Sequence, residues 1–313
     1  MNYFITGGCG FIGSHIAEEL VSEGHQVKIY DNLASGHLKN IDHLKSRVSF
    51  IQADICDFDR LKEEMKGMDY VFHEAALVSV FDSVERPFDN NAINITGTLN
   101  VLSAARENKI KRAVMASSAA IYGNEPTLPK REEMKPEPES PYALAKTVDE
   151  YYMKIFASLY GLETVTLRYF NVYGTRQDPS SMYSGVISRF VNMVIAGKTP
   201  TIFGDGLQSR DFVFVKDIVA ANLLAMRCVK AGKGEVFNIA SSSQTNLLDL
   251  LRILGEIEGR ELKPQFREAR AGDIKHSFAD ISRARAVLGY NPSTSITEGL
   301  KVLVAYEKNK TSC

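Results

Sequence analysis

The chain has no surplus of charge of either sign and no long apolar run, and both absences exclude classes of protein. Its formal net charge is −1, from 37 basic and 38 acidic side chains, so it lacks the electrostatic footprint of a protein that binds nucleic acid or an anionic membrane. No apolar segment approaches the length that spans a bilayer. The chain begins directly with MNYFITGG, a strand and turn rather than an export signal. We therefore expect a cytoplasmic protein with a small ligand.

Cysteine is also scarce. The four cysteines are far apart and form neither a CxxC pair nor a Cys/His cluster: Cys9, Cys56, Cys228 and Cys313. This spacing argues against a zinc site and against a disulfide framework. We predict buried or incidental thiols and no metal.

What the chain does have is a regular alternation of strand-like and helical segments. The strand-like runs are 2–6, 26–30, 48–52, 70–73, 112–116 and 165–169. The amphipathic segments between them include 14–22, 59–66 and 90–108. Parallel strands need a helix's worth of chain to cross over. The alternation therefore predicts an α/β fold with a doubly wound parallel sheet of the Rossmann type.

The regularity weakens after the sixth strand, where turn-rich pieces such as FGDG and ARAGD appear. We predict a cofactor-binding domain over 1–174, with 206–224 returning to it. Residues 175–205 and 225–313 then form a smaller C-terminal substrate-binding lobe. Residues 124–141 hold five prolines and many charges, which predicts a surface excursion. Ser140 and Pro141 close this excursion and suit the cap and first turn of a helix.

A glycine fingerprint follows the first strand. Gly7, Gly10 and Gly13 give GxxGxxG at the opening of a helix, which lets the backbone approach a pyrophosphate. In isolation this could be a bare glycine turn. However, the second strand ends at Asp31, where a carboxylate accepts both ribose hydroxyls of an adenosine. Because that carboxylate repels the extra phosphate of NADP, NAD is favoured. Asp54 and Ile55 follow the third strand, where they either read the adenine edge or cap a helix.

A tyrosine and a lysine mark the reactive site. Tyr142 and Lys146 spell YxxxK and lie on one helical face, so the ammonium favours the ionised phenol. Ser117 and Ser118 end the fifth strand. Fingerprint, serine pair and tyrosine follow one another so that all three converge at the carboxyl edge of the sheet. The alternative interpretations are that Lys146 is a solvated helix lysine, that Tyr142 is a half-buried aromatic residue, and that Ser117 and Ser118 form a turn at the end of the strand.

At this point the sequence resembles the extended short-chain dehydrogenase/reductase family, and within it the nucleotide-sugar 4-epimerases. The likeness covers nearly the whole chain. It is carried by GGCGFIGSH near the start, DNLASG (31–36), NITGTLNVL (94–102), ASSAAIYG (116–123), SPYALAK (140–146), LRYFNVYG (167–174), SRDFVFVKDI (209–218) and RAGD (270–273).

The resemblance implies a reaction in two halves. Tyr142 as phenolate removes the proton of the sugar 4-hydroxyl while carbon 4 gives its hydride to NAD, and the hydride then returns to the opposite face of the 4-keto sugar. Lys146 holds the nicotinamide ribose and lowers the pKa of Tyr142, and Ser118 binds the reacting oxygen. The cofactor-binding set that follows is Gly7, Gly10, Phe11, Ile12, Gly13, Asp31, Asn32, Ser35, Gly36, Asp54, Ile55, Ala75, Ala76, Asn94, Tyr142, Lys146 and Phe170.

The resemblance also implies where a UDP-sugar binds. Arg210 and Arg270 clamp the diphosphate, unless they form surface ion pairs with Asp211 or Asp273. Phe203 faces the uracil. The implied substrate-binding set is Ser79, Ser117, Ser118, Asn171, Phe203, Arg210, Arg270, Asp273 and Ser277.

Two features bear on the reaction and the sugar. Dehydratases and decarboxylases of this family carry an acid after the catalytic serine or threonine, where this chain has Ala119 and Ala120, so epimerisation is favoured over elimination. Ser277 matches a position that is tyrosine in epimerases restricted to UDP-glucose and UDP-galactose. A small residue there favours UDP-N-acetylglucosamine and UDP-N-acetylgalactosamine, unless the alignment of this loop serine is off by one or two residues.

RQDPSSMYSGVI (176–187) also resembles the N-acetyl-preferring group. The plain hexose and uronic acid pairs, a keto-sugar reductase and a non-catalytic NAD sensor remain alternatives. Relatives pair through helices that correspond to 90–108 and 143–160, which predicts a homodimer, although these apolar stripes could face only their own sheet.

Overall fold

A seven-stranded parallel sheet organises the chain, for which the computed structural model describes residues 1–178, 185–268 and 275–311. The strands are β1 (Asn2–Thr6), β2 (Gln26–Asp31), β3 (Val48–Gln52), β4 (Tyr70–His73), β5 (Arg112–Ser118), β6 (Glu163–Tyr169) and β11 (Lys233–Ile239). They lie in the order β11-β6-β5-β4-β1-β2-β3, and every neighbouring pair is parallel. The predicted doubly wound α/β fold is confirmed.

Helices cover both faces of this sheet. They are α1 (Phe11–Ser22), α2 (Phe58–Glu64), α3 (Val80–Glu85), α4 (Pro87–Asn90), a π-helix (Asn91–Thr96), α5 (Gly97–Glu107), α6 (Pro141–Tyr160) and α8 (Val215–Arg227). Three short 3-10 turns cover Leu38–Asn40, Asp42–Leu44 and Ala119–Tyr122. Two apolar cores result, one on each face. No helix among the described residues has both the length and the apolar character that crossing a membrane requires.

One boundary of the predicted lobe was wrong. Residues 233–239 fall in the range assigned to it, yet they form the edge strand β11 beside β6. The reason lies in the connection, because β6 and β11 are separated by an excursion into the lobe before α8 completes the crossover. The simple strand–helix alternation that identifies the other strands is interrupted there. The rest of the predicted division into domains stays a prediction.

Most of the remaining elements pack beyond the carboxyl end of the sheet, whereas the helix over Ser282–Leu288 packs on β11 and α8. Their strands are β7 (Asn171–Tyr173), β8 (Thr201–Phe203), β9 (Ser209–Arg210), β10 (Phe212–Phe214), β12 (Thr245–Asn246), β13 (Gln265–Arg267) and β14 (His276–Ser277). Their helices are α7 (Val186–Ile195), α9 (Leu247–Glu258), α10 (Ser282–Leu288) and α11 (Ile296–Thr311). A third apolar core joins α7, α9 and α11. The proline-rich excursion over 124–141 contacts this part of the chain, because Lys130 forms an isolated parallel β-bridge with Ala279.

Candidate active site

The glycine turn between β1 and α1 fits tightly against the next strand of the sheet. Gly7 has a φ of +69°, and a Cβ added to it would lie 2.6 Å from the backbone nitrogen of Ala75. A Cβ on Gly13 would lie 2.3 Å from the carbonyl oxygen of Gly7. Gly10 precedes the first turn of α1 without any side-chain cap. The helix amides are therefore left for an anion, at the point where the strand order reverses.

Asp31 ends β2 beside this turn. Its Oδ2 accepts from the backbone N–H of Cys9 at 2.9 Å and its Oδ1 from that of Leu33 at 2.8 Å. Burial raises the pKa of Asp31, and these two backbone donors oppose that rise. A Cβ on Gly36 would come within 2.9 Å of both carboxylate oxygens. The turn and the carboxylate together fit the diphosphate and ribose of a dinucleotide.

The structure excludes one of the two interpretations of residue 54, the helix cap. Helix α2 is capped by Asp57, whose side chain accepts from the backbone N–H of Arg60, so Asp54 is not its cap. The Oδ2 of Asp54 instead accepts from Asn32 at 2.8 Å. Ile55 is buried and packs against Gly97. Asn32 and Ser35 are exposed beside Asp31.

Asn94 holds in place the segment that follows β4. It lies in the π-helix and is 1% exposed. Its Oδ1 accepts from the N–H of Leu77 at 2.8 Å, and its Nδ2 donates to the carbonyl of Leu77 at 3.0 Å and to Asn90. Both amide protons are used in holding the segment after Ala75 and Ala76, and the predicted contact of Asn94 with a cofactor stays a prediction. Phe170 likewise follows β6 and is buried in the core.

The first turn of α6 is held by three polar side chains. The predicted cap forms, since Ser140 accepts from the N–H of Ala143 at 3.2 Å. Ser83 accepts from the N–H of Tyr142 at 3.1 Å, and Asn90 donates to the carbonyl of Pro141 at 3.0 Å. Tyr142 therefore lies in the first turn of a helix whose start is fixed by its own cap and by side chains from other helices.

Lys146 lies one turn further along the same face and is 2% exposed. The Oδ2 of Asp149 is 3.7 Å from its Nζ. Glu74, at the end of β4, accepts from the hydroxyl of Tyr169 at 3.0 Å. Burial raises the pKa of Glu74 to about 8, against the effect of that hydroxyl and of Lys146. Neither carboxyl was predicted from the sequence, although an acidic residue directly after β4 is a signal for Glu74.

The two serines that end β5 lie on opposite faces. Ser117 is buried and donates to Glu150 at 2.6 Å, so its predicted role in binding substrate was wrong. Strand alternation is the reason, because it turns Ser117 toward α6. Ser118 is half-buried, and its Oγ accepts from the N–H of Ala120 at 3.1 Å. Its hydroxyl proton remains for another acceptor.

Other predicted substrate residues lie beyond the carboxyl edge of the sheet. Arg210 on β9 is the direct neighbour of Ser277 on β14. Asn171 donates from Nδ2 to the carbonyl of Asp211 at 3.3 Å. The carboxylate of Asp211 is fully buried and accepts from the N–H and hydroxyl of Ser241, which argues against its pairing with Arg210. Phe203 ends β8, and Ser79 caps α3 by accepting from Asp82. Arg270 and Asp273 lie outside the described residues.

Comparison with known proteins supports this geometry. The model of the NAD dependent epimerase/dehydratase family matches residues 3–240. A putative UDP-glucose 4-epimerase of Methanocaldococcus jannaschii is 40% identical over 308 residues, which is 97% of this chain and 98% of that protein. The UDP-glucose 4-epimerase of Thermotoga maritima, solved with UDP-glucose, has a TM-score of 0.94 at 39% identity, over 99% of this chain and 100% of that one. The UDP-N-acetylglucosamine 4-epimerase of Methanobrevibacter ruminantium, in complex with UDP-N-acetylmuramic acid, has a TM-score of 0.94 at 39% identity, over 99% and 98%.

Proposed function

The chain belongs to the NAD-dependent epimerase/dehydratase family, and on that premise we propose that it converts UDP-N-acetylglucosamine to UDP-N-acetylgalactosamine. Its activity at the coarser level is that of an NAD-dependent UDP-sugar 4-epimerase. The choice of sugar is carried by one observation, the small side chain of Ser277 directly beside Arg210. If Arg210 binds the diphosphate, Ser277 leaves space for a substituent on the adjoining sugar.

The catalytic roles are assigned from the geometry of α6 and β5. NAD, when bound, takes up the hydride of carbon 4 and gives it back. We assign Tyr142 as the base for the 4-hydroxyl, with its backbone fixed by Ser83. Lys146 supplies a buried positive charge that favours the phenolate. Ser118 keeps a hydroxyl proton for the reacting oxygen.

The residues after Ser118 favour epimerisation over elimination. Ala119 and Ala120 begin the 3-10 turn that follows β5, and neither side chain can donate or accept a proton. A 4-keto sugar held there therefore meets no acid or base from these two positions that would remove a neighbouring group.

The plain hexose pair is the second candidate, because the relatives from M. jannaschii and T. maritima are described as UDP-glucose 4-epimerases. Product analysis by NMR with UDP-N-acetylglucosamine, UDP-glucose and UDP-glucuronic acid separates the candidates. We expect the highest kcat/KM with the N-acetylated sugar. If UDP-glucose gives the highest value, the proposed substrate is wrong, and if no UDP-hexose turns over, the epimerase assignment fails as well.

The variant Ser277→Tyr tests the observation that carries the substrate. A large ring there should lower kcat/KM for UDP-N-acetylglucosamine about 100-fold while UDP-glucose changes by less than about threefold, as steric exclusion from a pocket does. The matched control is Ser46→Tyr, at an exposed serine just before β3. This variant should leave kcat/KM unchanged for both substrates. Equal losses for both sugars in Ser277→Tyr would show that this position does not select the N-acetyl group.

We also propose that the chain forms a homodimer through the outer face of α6. The inner face of α6 packs on the sheet through residues such as Met153 and Phe156. A second apolar stripe faces outward and is 41–69% exposed, comprising Leu144, Tyr151, Ile155 and Leu159. Helix α6 therefore has one apolar stripe that faces the sheet and a second that faces solvent, so its apolar residues do not face only their own sheet.

The nearby ring of Phe88, on α4, is 89% exposed and extends this apolar surface. A continuous exposed patch of this kind marks an interface between proteins. Light scattering at micromolar concentration should give twice the chain mass, and Leu159→Glu should reduce it to one chain without lowering the melting temperature of the monomer. A monomeric wild-type protein would refute the dimer.

A further inference from the structure

Asp149 is a buried acid that the proposed reaction does not use. It lies on α6 one turn beyond Lys146, and none of its surface is exposed. Its Oδ2 is 3.7 Å from the Nζ of Lys146, which is an ion pair but longer than a hydrogen bond. Among the residues that the structure describes, neither carboxylate oxygen has a hydrogen-bond partner. Such a group destabilises a fold unless its charge is compensated, so its position calls for an explanation.

A chain of hydroxyls and one imidazole leads from the cofactor turn to this carboxylate. Thr6, the last residue of β1, is 2.7 Å from Nδ1 of His73, whose Nε2 is 2.9 Å from the hydroxyl of Thr98. The backbone N–H of Ala75 donates to Thr6 at 3.4 Å. The hydroxyl of Thr98 in turn favours the ionised form of Asp149. The hydrogen bonds thus run from Ala75 to Thr98, whose hydroxyl acts on Asp149 without a hydrogen bond to it.

The neutral ring of His73 has one N–H, so the nitrogen that carries this proton determines which neighbours of His73 donate and which accept. Burial, followed by the charge of Lys146, lowers the pKa of His73 to about 3, so its ring is neutral. If the ring donates from Nε2, Thr98 accepts and keeps its own proton for Asp149. If the ring donates from Nδ1 to Thr6, Thr98 must donate to Nε2 and leaves Asp149 without a donor. The tautomer of His73 and the charge of Asp149 are therefore linked.

We propose that Asp149 is the buried counter-ion of Lys146, a positioning residue that fixes the lysine and sets the pH range over which it supports Tyr142. This inference rests on the proposed function, because it assigns Lys146 to the reaction. The hydroxyls of Thr98 and Thr6 and the ring of His73 connect the surroundings of this counter-ion to the backbone that lies against Gly7.

The charges around Asp149 come from several elements. Lys146 on α6 favours its ionised form, while Glu150, the next residue on the same helix, opposes it. His73 on β4 faces it through Thr98 and is neutral, and Glu74 on β4 acts on Lys146. Burial is the largest effect and raises the pKa of Asp149 to about 7. Both charge states of Asp149 are therefore accessible near neutral pH.

The variant Asp149→Asn separates a counter-ion from a structural residue by the pH profile of kcat/KM. Removing the negative charge lowers the pKa of the buried ammonium, so the alkaline limb should move to lower pH by about 1 to 3 units. The phenolate of Tyr142 is favoured at the same time, so the acid limb should move in the same direction by a smaller amount. A structural role would lower kcat/KM at every pH and leave both limbs in place.

Two further variants keep the test decisive. Glu256→Gln, at an exposed carboxylate that pairs with Arg252 far from this network, should leave both limbs in place. Thr98→Val should move both limbs in the direction of Asp149→Asn but by less, since it removes only the hydroxyl beside the carboxylate. If Asp149→Asn does not fold, Thr98→Val carries the test, and unmoved limbs in that variant would overturn the proposal.

Melting temperature against pH gives a readout that does not depend on turnover. An acid whose pKa is raised by folding, here from about 4 to about 7, binds more protons in the folded state, so its contribution to stability falls as the pH rises through that window. The NAD-supplemented Asp149→Asn protein lacks this decline, so its melting temperature relative to wild type should rise between pH 5 and pH 8. A constant difference would refute the proposal. An inactive wild type would instead refute only the proposed function.

Discussion

Replacing Glu150 by glutamine should remove a large part of the stability of the catalytic helix. The carboxylate of Glu150 binds Arg168 at 2.9 and 2.8 Å and also accepts from Ser117 at 2.6 Å. Arg168 is 3% exposed and donates to the hydroxyl of Tyr122 at 2.7 Å. In Glu150→Gln the amide protons would face the guanidinium donors and leave a buried cation uncompensated. Breaking such a pair costs about 3 to 5 kcal/mol.

This free energy converts to a melting temperature through the size of the chain. At about 2.1 cal/mol/K per residue, 313 residues give an unfolding entropy of roughly 0.66 kcal/mol/K. The melting temperature of Glu150→Gln should therefore fall by about 5 to 8 °C in scanning calorimetry. The control is Glu256→Gln, whose ion pair with Arg252 is mostly exposed and which should change by less than about 1 °C. Similar small changes in both variants would refute the reasoning.

Two further predictions concern the cofactor turn and the helix cap. Gly7→Ala should lower NAD affinity by more than about tenfold in calorimetric titration, because its Cβ would collide with Ala75. The control Gly24→Ala shares a positive φ but meets nothing within 4 Å, so unchanged NAD affinity in both variants would contradict the collision argument. Ser140→Ala should cost about 1 kcal/mol, or roughly 1.5 °C, and Ser140→Asp should recover it. Failure of Ser140→Asp to recover the loss would show that capping is not its cause.

Local patterns were sufficient to predict the sheet and the start of the catalytic helix. Strands β1, β3 and β4 have the predicted bounds, because each is a short buried run between turn residues. The cap by Ser140 was predictable from its position before Pro141. Strand β11 was not, because its crossover contains other elements and its partner β6 ends about 60 residues earlier in the chain.

The contents of the site were harder to predict, because burial and side-chain direction depend on tertiary packing. Neighbouring serines look equivalent in sequence, yet alternation sends Ser117 into a buried network and Ser118 toward the open edge. Asp149 lies close to the YxxxK motif, yet the sequence did not indicate that its carboxylate is buried without a hydrogen-bond partner. That burial depends on residues from β4 and α5. The likeness to a family identified positions but not these orientations.

Helix α6 presents Tyr142 and Lys146 on one side and its exposed stripe of Leu144, Tyr151, Ile155 and Leu159 on another. Inserting one residue between Lys146 and Tyr151 would rotate everything beyond it by about 100° against the first turn. The side that we propose to meet substrate and the side that we expect to meet a second chain therefore keep a fixed angle to each other. Substitutions can alter either side separately, but an insertion or deletion within α6 would change the angle between the two sides.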